Sequence, residues 1–251
     1  MPPRICCLLL LACSWPLASG PARTRESDRS TQCVIVLTDN WESTAGVLQS
    51  FQRGSPAGRW RRQGSEVPVA VGRKGLGAGR GLARIDFAGA PAKKEGDNKA
   101  PAGVFRLSSA FGYAPARSAG WIKLPYLALS RNIEGIDDPN SRYYNTLVDK
   151  SKVAEIDWHS SEQMRREDIR YKWGVVVDHN PAAVPGAGSC IFLHVWKAPF
   201  VTTTGCTAMP ERDLVRLLGW LDPTQHPILV QMPRATYRFV QAKHGLPPDR
   251  F

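Results

Sequence analysis

Short apolar runs separated by turn residues dominate the chain, and most of them alternate with period two rather than following a helical stripe. The clearest runs from Cys190 to Trp196, CIFLHVW. A strand points successive side chains to opposite faces, so Ile191, Leu193 and Val195 form one row and Cys190, Phe192, His194 and Trp196 the other. The β-branched runs Cys33–Leu37, Val67–Val71, Gly174–Asp178 and Ile228–Met232 predict further strands, and another starts near Val104 once Pro101 is passed. Helical spacing is rarer. Thr44–Arg53 places Val47, Leu48 and Phe51 on one face with Thr44 as a cap, and Glu162–Ile169 has the pattern of a short helix. Pro210–Leu221 puts Leu214, Leu217, Leu218 and Leu221 on one face, with proline first, acids in the first turn and Pro223 closing it.

Between these elements lie turn-rich stretches. Gly54–Glu66 reads as a polar loop around Trp60, and the tail to Phe251 as polar and proline-containing. Gly72–Gly81, GRKGLGAGRG, lacks the Gly-x-Gly-x-x-Gly spacing and any Gly-Lys-Ser/Thr, which excludes a nucleotide-binding loop. Lys93–Ala102 carries Gly96-Asp97-Asn98 as turn chemistry. Asp137–Ser141 has acidic density without calcium-loop spacing, and an Asx turn accounts for it. Many short strands, few helices and no strand–helix alternation predict a mainly β, α+β domain over residues 33–251 rather than a doubly wound sheet.

The first residues change where this domain is expected to work. Arg4, the apolar Ile5–Trp15 and the small residues after Pro16 make residues 1–20 a signal peptide, too short for the ~20 apolar residues that span a bilayer. Residues 21–32 read as a flexible leader. An exported protein of the periplasm or cell envelope is the expectation, with lipidation at Cys13 as the lesser alternative. Formal charge is +11, or +10 without Arg4, which suggests an anionic partner. Export excludes nucleic acid and favours cell-wall polymer or lipid headgroups. Removing Cys6, Cys7 and Cys13 from the six cysteines leaves Cys33, Cys190 and Cys206. An odd number leaves at least one thiol free in an oxidising compartment, and Cys33–Cys190 is the one disulfide that spares Cys206.

Cys206 has the surroundings of a reactive thiol. It sits in a polar loop after Lys197–Thr204, twelve positions beyond His194, and Gly205 before it permits a tight turn. An imidazole beside a cysteine generates the nucleophilic thiolate, and turn N–H groups can face a developing oxyanion. His179, at the end of a strand, is the other imidazole placed to act as base. A Cys/His metal site would need Cys190, His194, Cys206 and His179 to converge, and no Cys-x-x-Cys supports it.

His194 followed by Thr203-Thr204-Gly205-Cys206 resembles the motif of the L,D-transpeptidases (YkuD-type), in which a strand histidine precedes a Ser/Thr-His-Gly-Cys loop. KKEGDNKAPAGVF at Lys93–Phe105 resembles the family's K-x-G-D-G-x-T-P-x-G-x-F segment. Two positions depart: Thr204 replaces a histidine, and Ala208 stands where an arginine or asparagine often follows the cysteine. The similarity covers most of residues 33–240 and marks a divergent secreted branch. It implies a β-sandwich with a few short helices and no cofactor. It also implies Cys206 as nucleophile, His194 as base, Gly205 in the oxyanion turn, and Thr203, Thr204 and His179 toward substrate. The substrate would be a peptidoglycan stem peptide, resolved by an amine on a second stem or a lipoprotein. Water as acceptor would make a carboxypeptidase or endopeptidase, and a silent wall-binding module would keep the fold without the reaction.

Overall fold

The computed structural model describes residues 26–249. The expected signal peptide and Cys13 therefore lie outside the described residues. A single helical turn, α1 (Glu26–Arg29), leads into β1 (Gln32–Thr38). The expected flexible leader thus ends earlier than residue 32. Ser30 is buried, and the Arg53 side chain donates to the carbonyls of Ser30 and Asp28, fastening this segment to the body.

β1 is buried along its whole length because it lies between two strands, antiparallel to β2 (Ala45–Gln52) and parallel to β13 (Ile228–Pro233). The helix expected over Thr44–Arg53 is β2 instead. Asn40 Oδ1 accepts from the Glu42 and Ser43 N–H groups at 2.9 Å, closing a turn that folds the segment back on β1 over seven paired positions. Both faces of this part of the sheet are covered, so Leu48 and Phe51 are each buried although they point opposite ways. That erased the alternation a strand would have shown.

The second half of the expected Gly54–Glu66 loop, from Arg61, also belongs to the sheet, in β3 (Arg61–Ala70). Its polar residues are exposed on an outer edge. An irregularity in the pairing lets Leu48 face Val67 while Ser50 faces Gln63. The buried Gln49 amide fills it, donating to Gln63 O at 2.7 Å and accepting from Arg62 at 2.6 Å.

β4 (Leu76–Ala78) lies in the glycine-rich loop, where Gly75 has φ +73° and a side chain would collide with Trp41 O at 2.0 Å. β5 (Ala100–Gly112) starts earlier than Val104, since Pro101 sits near the strand start, where the lost N–H is tolerated. It is the long strut of the fold. It pairs in turn with β4, β13, β6 (Tyr126–Ala128) and β10 (Trp173–Val177). Through β11 (Phe192–Val195) and β12 (Thr207–Met209) the sheet continues to β3, so the β5–β10 pairing closes it on itself.

A separate three-stranded sheet, β7 (Ile133–Ile136), β8 (Leu147–Asp149) and β9 (Ser161–Gln163), is inserted between β6 and β10. β9 and the turns after it replace the helix expected over Glu162–Ile169. Its strand register is fixed by β7, with Gly135 opposite Glu162.

α2 (Glu211–Trp220) buries Leu214, Leu217 and Leu218 against β10 and β11. The tail contains α3 (Arg234–Val240), which was not anticipated. Tyr237, fully buried with its hydroxyl donating to Pro247 O, is its anchor. The architecture is mainly β with few helices, as the pattern of short runs predicts.

Candidate active site

β11 and β12 run side by side and parallel, with His194 opposite Ala208 and Leu193 opposite Thr207. This register brings the residue just before β12 beside the strand that carries the histidine. Cys206 and His194 line one cavity of about 90 Å³, together with Glu162, Arg170, Tyr171 and Thr204. Both are nearly buried, at 7% and 5% exposure.

The Cys206 sulfur is held by backbone. Phe192 N–H points at Sγ from 3.4 Å, and Sγ lies 3.7 Å from Cys190 O. Burial, and next the Glu162 carboxylate, push the thiol up to about 12. Burial also lowers His194, to about 4. At neutral pH the pair is therefore thiol and neutral imidazole, not a preformed ion pair. His194 Nδ1 lies 2.8 Å from Val195 O. A carbonyl only accepts, so Nδ1 carries the proton and Nε2 keeps its lone pair for use as a base.

Thr203 organises the nucleophile turn. Its hydroxyl donates to Cys206 O at 2.6 Å and accepts from Gly205 N–H at 3.1 Å. Its backbone ties the loop to the main sheet through Val71 O and Arg73 N. Thr203 and Thr204 both line the cavity. Gly205, with φ +157°, takes a backbone that favours glycine. Its N–H, however, is committed to Thr203, which corrects its expected place in the oxyanion turn. The Cys206 N–H has no acceptor among the described residues and is the donor left there.

The structure does not bring His179 to this cavity, a correction to its expected substrate role. It is 1% exposed, with Nε2 3.0 Å from Ala187 O, and Nδ1 accepts from Arg80 N–H at 3.3 Å. Both ring nitrogens are thus used by the backbone, and burial lowers its pKa to about 4. Its role is to hold loops together. Asn145 does the same nearby, donating to the carbonyls of His179 and Asn180 and accepting from Cys190 N–H.

Three cavity residues were not singled out in the sequence. Tyr171 stands edge-on to His194, with ring centroids 5.3 Å apart, and packs likewise on Phe111 and Phe192. Its hydroxyl donates to Glu162 at 2.8 Å, and Arg166 donates to the other carboxylate oxygen at 2.6 Å. Burial still raises the Glu162 pKa. Arg170 brings a cation to the cavity from the turn before β10, held by Asp168.

Lys93 and Asp97, in the segment with the Gly-Asp-Asn turn, form an ion pair at 2.7 Å in which the lysine is buried. Asp97 also accepts from the Lys94 and Lys99 N–H groups, and the Lys93 stem runs beneath Gly188 and Gly205. The segment is thus a floor under the nucleophile loop. All three described cysteines are free, so Cys33 and Cys190 are not joined. Among the described residues, no group of three or more His, Cys, Asp or Glu side chains converges as a metal ion would need.

A family model described as the L,D-transpeptidase catalytic domain (YkuD) matches residues 43–230. The chain belongs to the L,D-transpeptidase family. The matched span runs from β2 into β13 and includes both sides of the Cys206–His194 cavity. This family acts on the stem peptides of peptidoglycan. Comparisons with curated proteins and with solved structures gave no match.

Proposed function

We propose that the protein is an exported, cysteine-dependent L,D-transpeptidase that cross-links or remodels peptidoglycan through a thioester on Cys206. The observation that carries this reading is the shared cavity: the imidazole of strand β11, with Nε2 left for use as a base, and the thiol of the turn that enters the adjacent parallel strand β12 line it together, in the span matched by the family model. His194 Nε2 takes the proton as Sγ attacks the amide carbonyl before a terminal D-alanine. The carbonyl becomes an oxyanion, met by the Cys206 N–H. Collapse breaks the C–N bond, His194 returns the proton to the leaving amine, and an acyl-thioester remains. An amine from a second stem then attacks the thioester, passes its proton to His194 and frees the thiol.

The un-ionised resting pair has a consequence for this sequence. Proton transfer accompanies attack, so the base works only with substrate in place and with water largely displaced from a small cavity. Phe192 N–H, already aimed at Sγ, stabilises charge as it develops on sulfur. Thr204 supplies a hydroxyl where the motif usually has imidazole, and so serves hydrogen bonding to substrate or loop. Export by residues 1–20 supplies the compartment in which the wall is found.

The test is incubation of the purified protein with a tetrapeptide stem and an amine-bearing second stem. Mass spectrometry should show a cross-linked product that has lost D-alanine, absent with Cys206→Ala. Loss of D-alanine without cross-linking would assign water as the acceptor instead. No product of either kind would count against the enzyme and for a wall-binding module.

A further inference from the structure

A second cavity among the described residues is larger than the catalytic one. A groove of about 680 Å³ lies between the outer half of β3 and α2, open along one side. Trp196, Pro199 and Trp220 give it apolar faces, Gln63 and Ser65 line the β3 wall, and Arg212 and Arg216 the helical one. Trp220 is fixed, its indole N–H donating to Gln52 at 3.1 Å. Both arginines are largely exposed and share one acid, Asp213, which leaves the helical rim positive.

The groove and the catalytic cavity are two sides of one loop. Trp196 and Pro199 face the groove, while Lys197, Val201 and Thr202–Thr204 face the cavity. On the crest between them Phe200 is 55% exposed and Val201 42%, and the Phe200 ring leans on Trp196 with centroids 5.7 Å apart. Phe200 is also held at φ +60°, costly for an aromatic residue and unexplained by any core contact. Large exposed apolar groups beside a groove mark a contact surface.

The occupant follows from the lining. An added peptide strand would need a regular edge. The edge of β3 is interrupted by the pairing irregularity at Gly64–Glu66 and by Pro68, which has no N–H to offer. A carbohydrate needs no ladder. It presents apolar ring faces that indole planes can cover, and hydroxyl and acetamido groups that meet amide, hydroxyl and guanidinium side chains. We propose that this groove is a binding site for the glycan strand of the wall, an acylated amino-sugar polymer. It holds the strand while a stem peptide hanging from it crosses the 196–204 loop to Cys206. The proposal rests on the transpeptidase reading for its choice of polymer, but its binding can be measured apart from the reaction.

The experiment is co-sedimentation of the full chain carrying Cys206→Ala with glycan strands stripped of their stems by an amidase. Binding should saturate. Trp196→Ala, and separately the exposed pair Arg212→Ser and Arg216→Ser, should each weaken it about tenfold, as loss of an anchoring side chain does. In the Cys206 background, acylation by a carbapenem should be unchanged by either set. The arginine pair lies on the outer helix face, so it tests the groove even where Trp196→Ala impairs folding. Absence of saturable binding, full binding by the arginine variant, or displacement of the glycan by free tetrapeptide would each overturn the proposal. Failure of acylation by both a carbapenem and a tetrapeptide stem, with glycan binding intact, would instead sink the transpeptidase reading.

Discussion

The Thr203 hydroxyl donates to the carbonyl of Cys206 across 2.6 Å, and the same oxygen accepts from Gly205 N–H. One side chain thus fixes both ends of the turn that presents the nucleophile. Thr203→Val keeps the shape and removes both bonds. At about 1 kcal/mol each, the loss predicts roughly a tenfold or greater fall in acylation rate. Thr203→Ser should restore most of it. Equal rates for valine and threonine would show that the turn holds itself.

Cys206 should behave as an ordinary buried thiol before substrate arrives. With the thiol near 12 and the imidazole near 4, alkylation by iodoacetamide should rise about tenfold per pH unit across pH 6–9, following the thiolate fraction. A plateau beginning near pH 6 would reveal a preformed thiolate–imidazolium pair and contradict this description.

Glu162 opposes the thiolate after burial itself. Glu162→Gln removes that charge, keeps an acceptor for the Tyr171 hydroxyl and leaves the Arg166 guanidinium nearby. Alkylation of Cys206 at pH 8 should therefore be faster in the variant. A slower or unchanged rate would mean that Glu162 acts on the site through Tyr171 packing rather than through charge.

Stability should fall in mild acid. His179 and His194 are both held near 4 in the folded chain, against an ordinary 6.5. Between these values the unfolded chain binds more protons, so stability rises with pH. Their contribution is complete above about pH 6.5 and is lost as pH falls toward 4, each at about 1.4 kcal/mol per pH unit. Glu162, raised in the fold, works in the opposite direction. Denaturant midpoints measured from pH 7 to 4 should drop steeply, and His179→Gln should flatten the slope. A midpoint constant over that range would contradict the burial of both rings as neutral groups.

The nucleophile and its base were legible because both belong to one short stretch, with His194 on a strand and Cys206 in the turn that follows. Glu162, Tyr171 and Arg170 were not, because only the pairing of β9 with β7 and of β10 with β5 carries them to the cavity. His179 looked equivalent to His194 in sequence. Its separation depends on Ala187 O and Arg80 N–H, contacts that no local pattern announces. The fold was misread where burial on both faces, or exposure at an edge, replaced alternation: β2 resembled a helix and the outer part of β3 a loop. Gln49 shows the reason most directly. A fully buried glutamine satisfies an irregular pairing that a binary pattern cannot encode.

Intact mass of the protein after exposure to a tetrapeptide stem or a carbapenem, beside Cys206→Ala, tests the central claim most directly. A covalent adduct on the parent chain, mapped to Cys206 and absent from the variant, is the predicted result. An unchanged mass with both reagents, or an adduct that survives in Cys206→Ala, would contradict it.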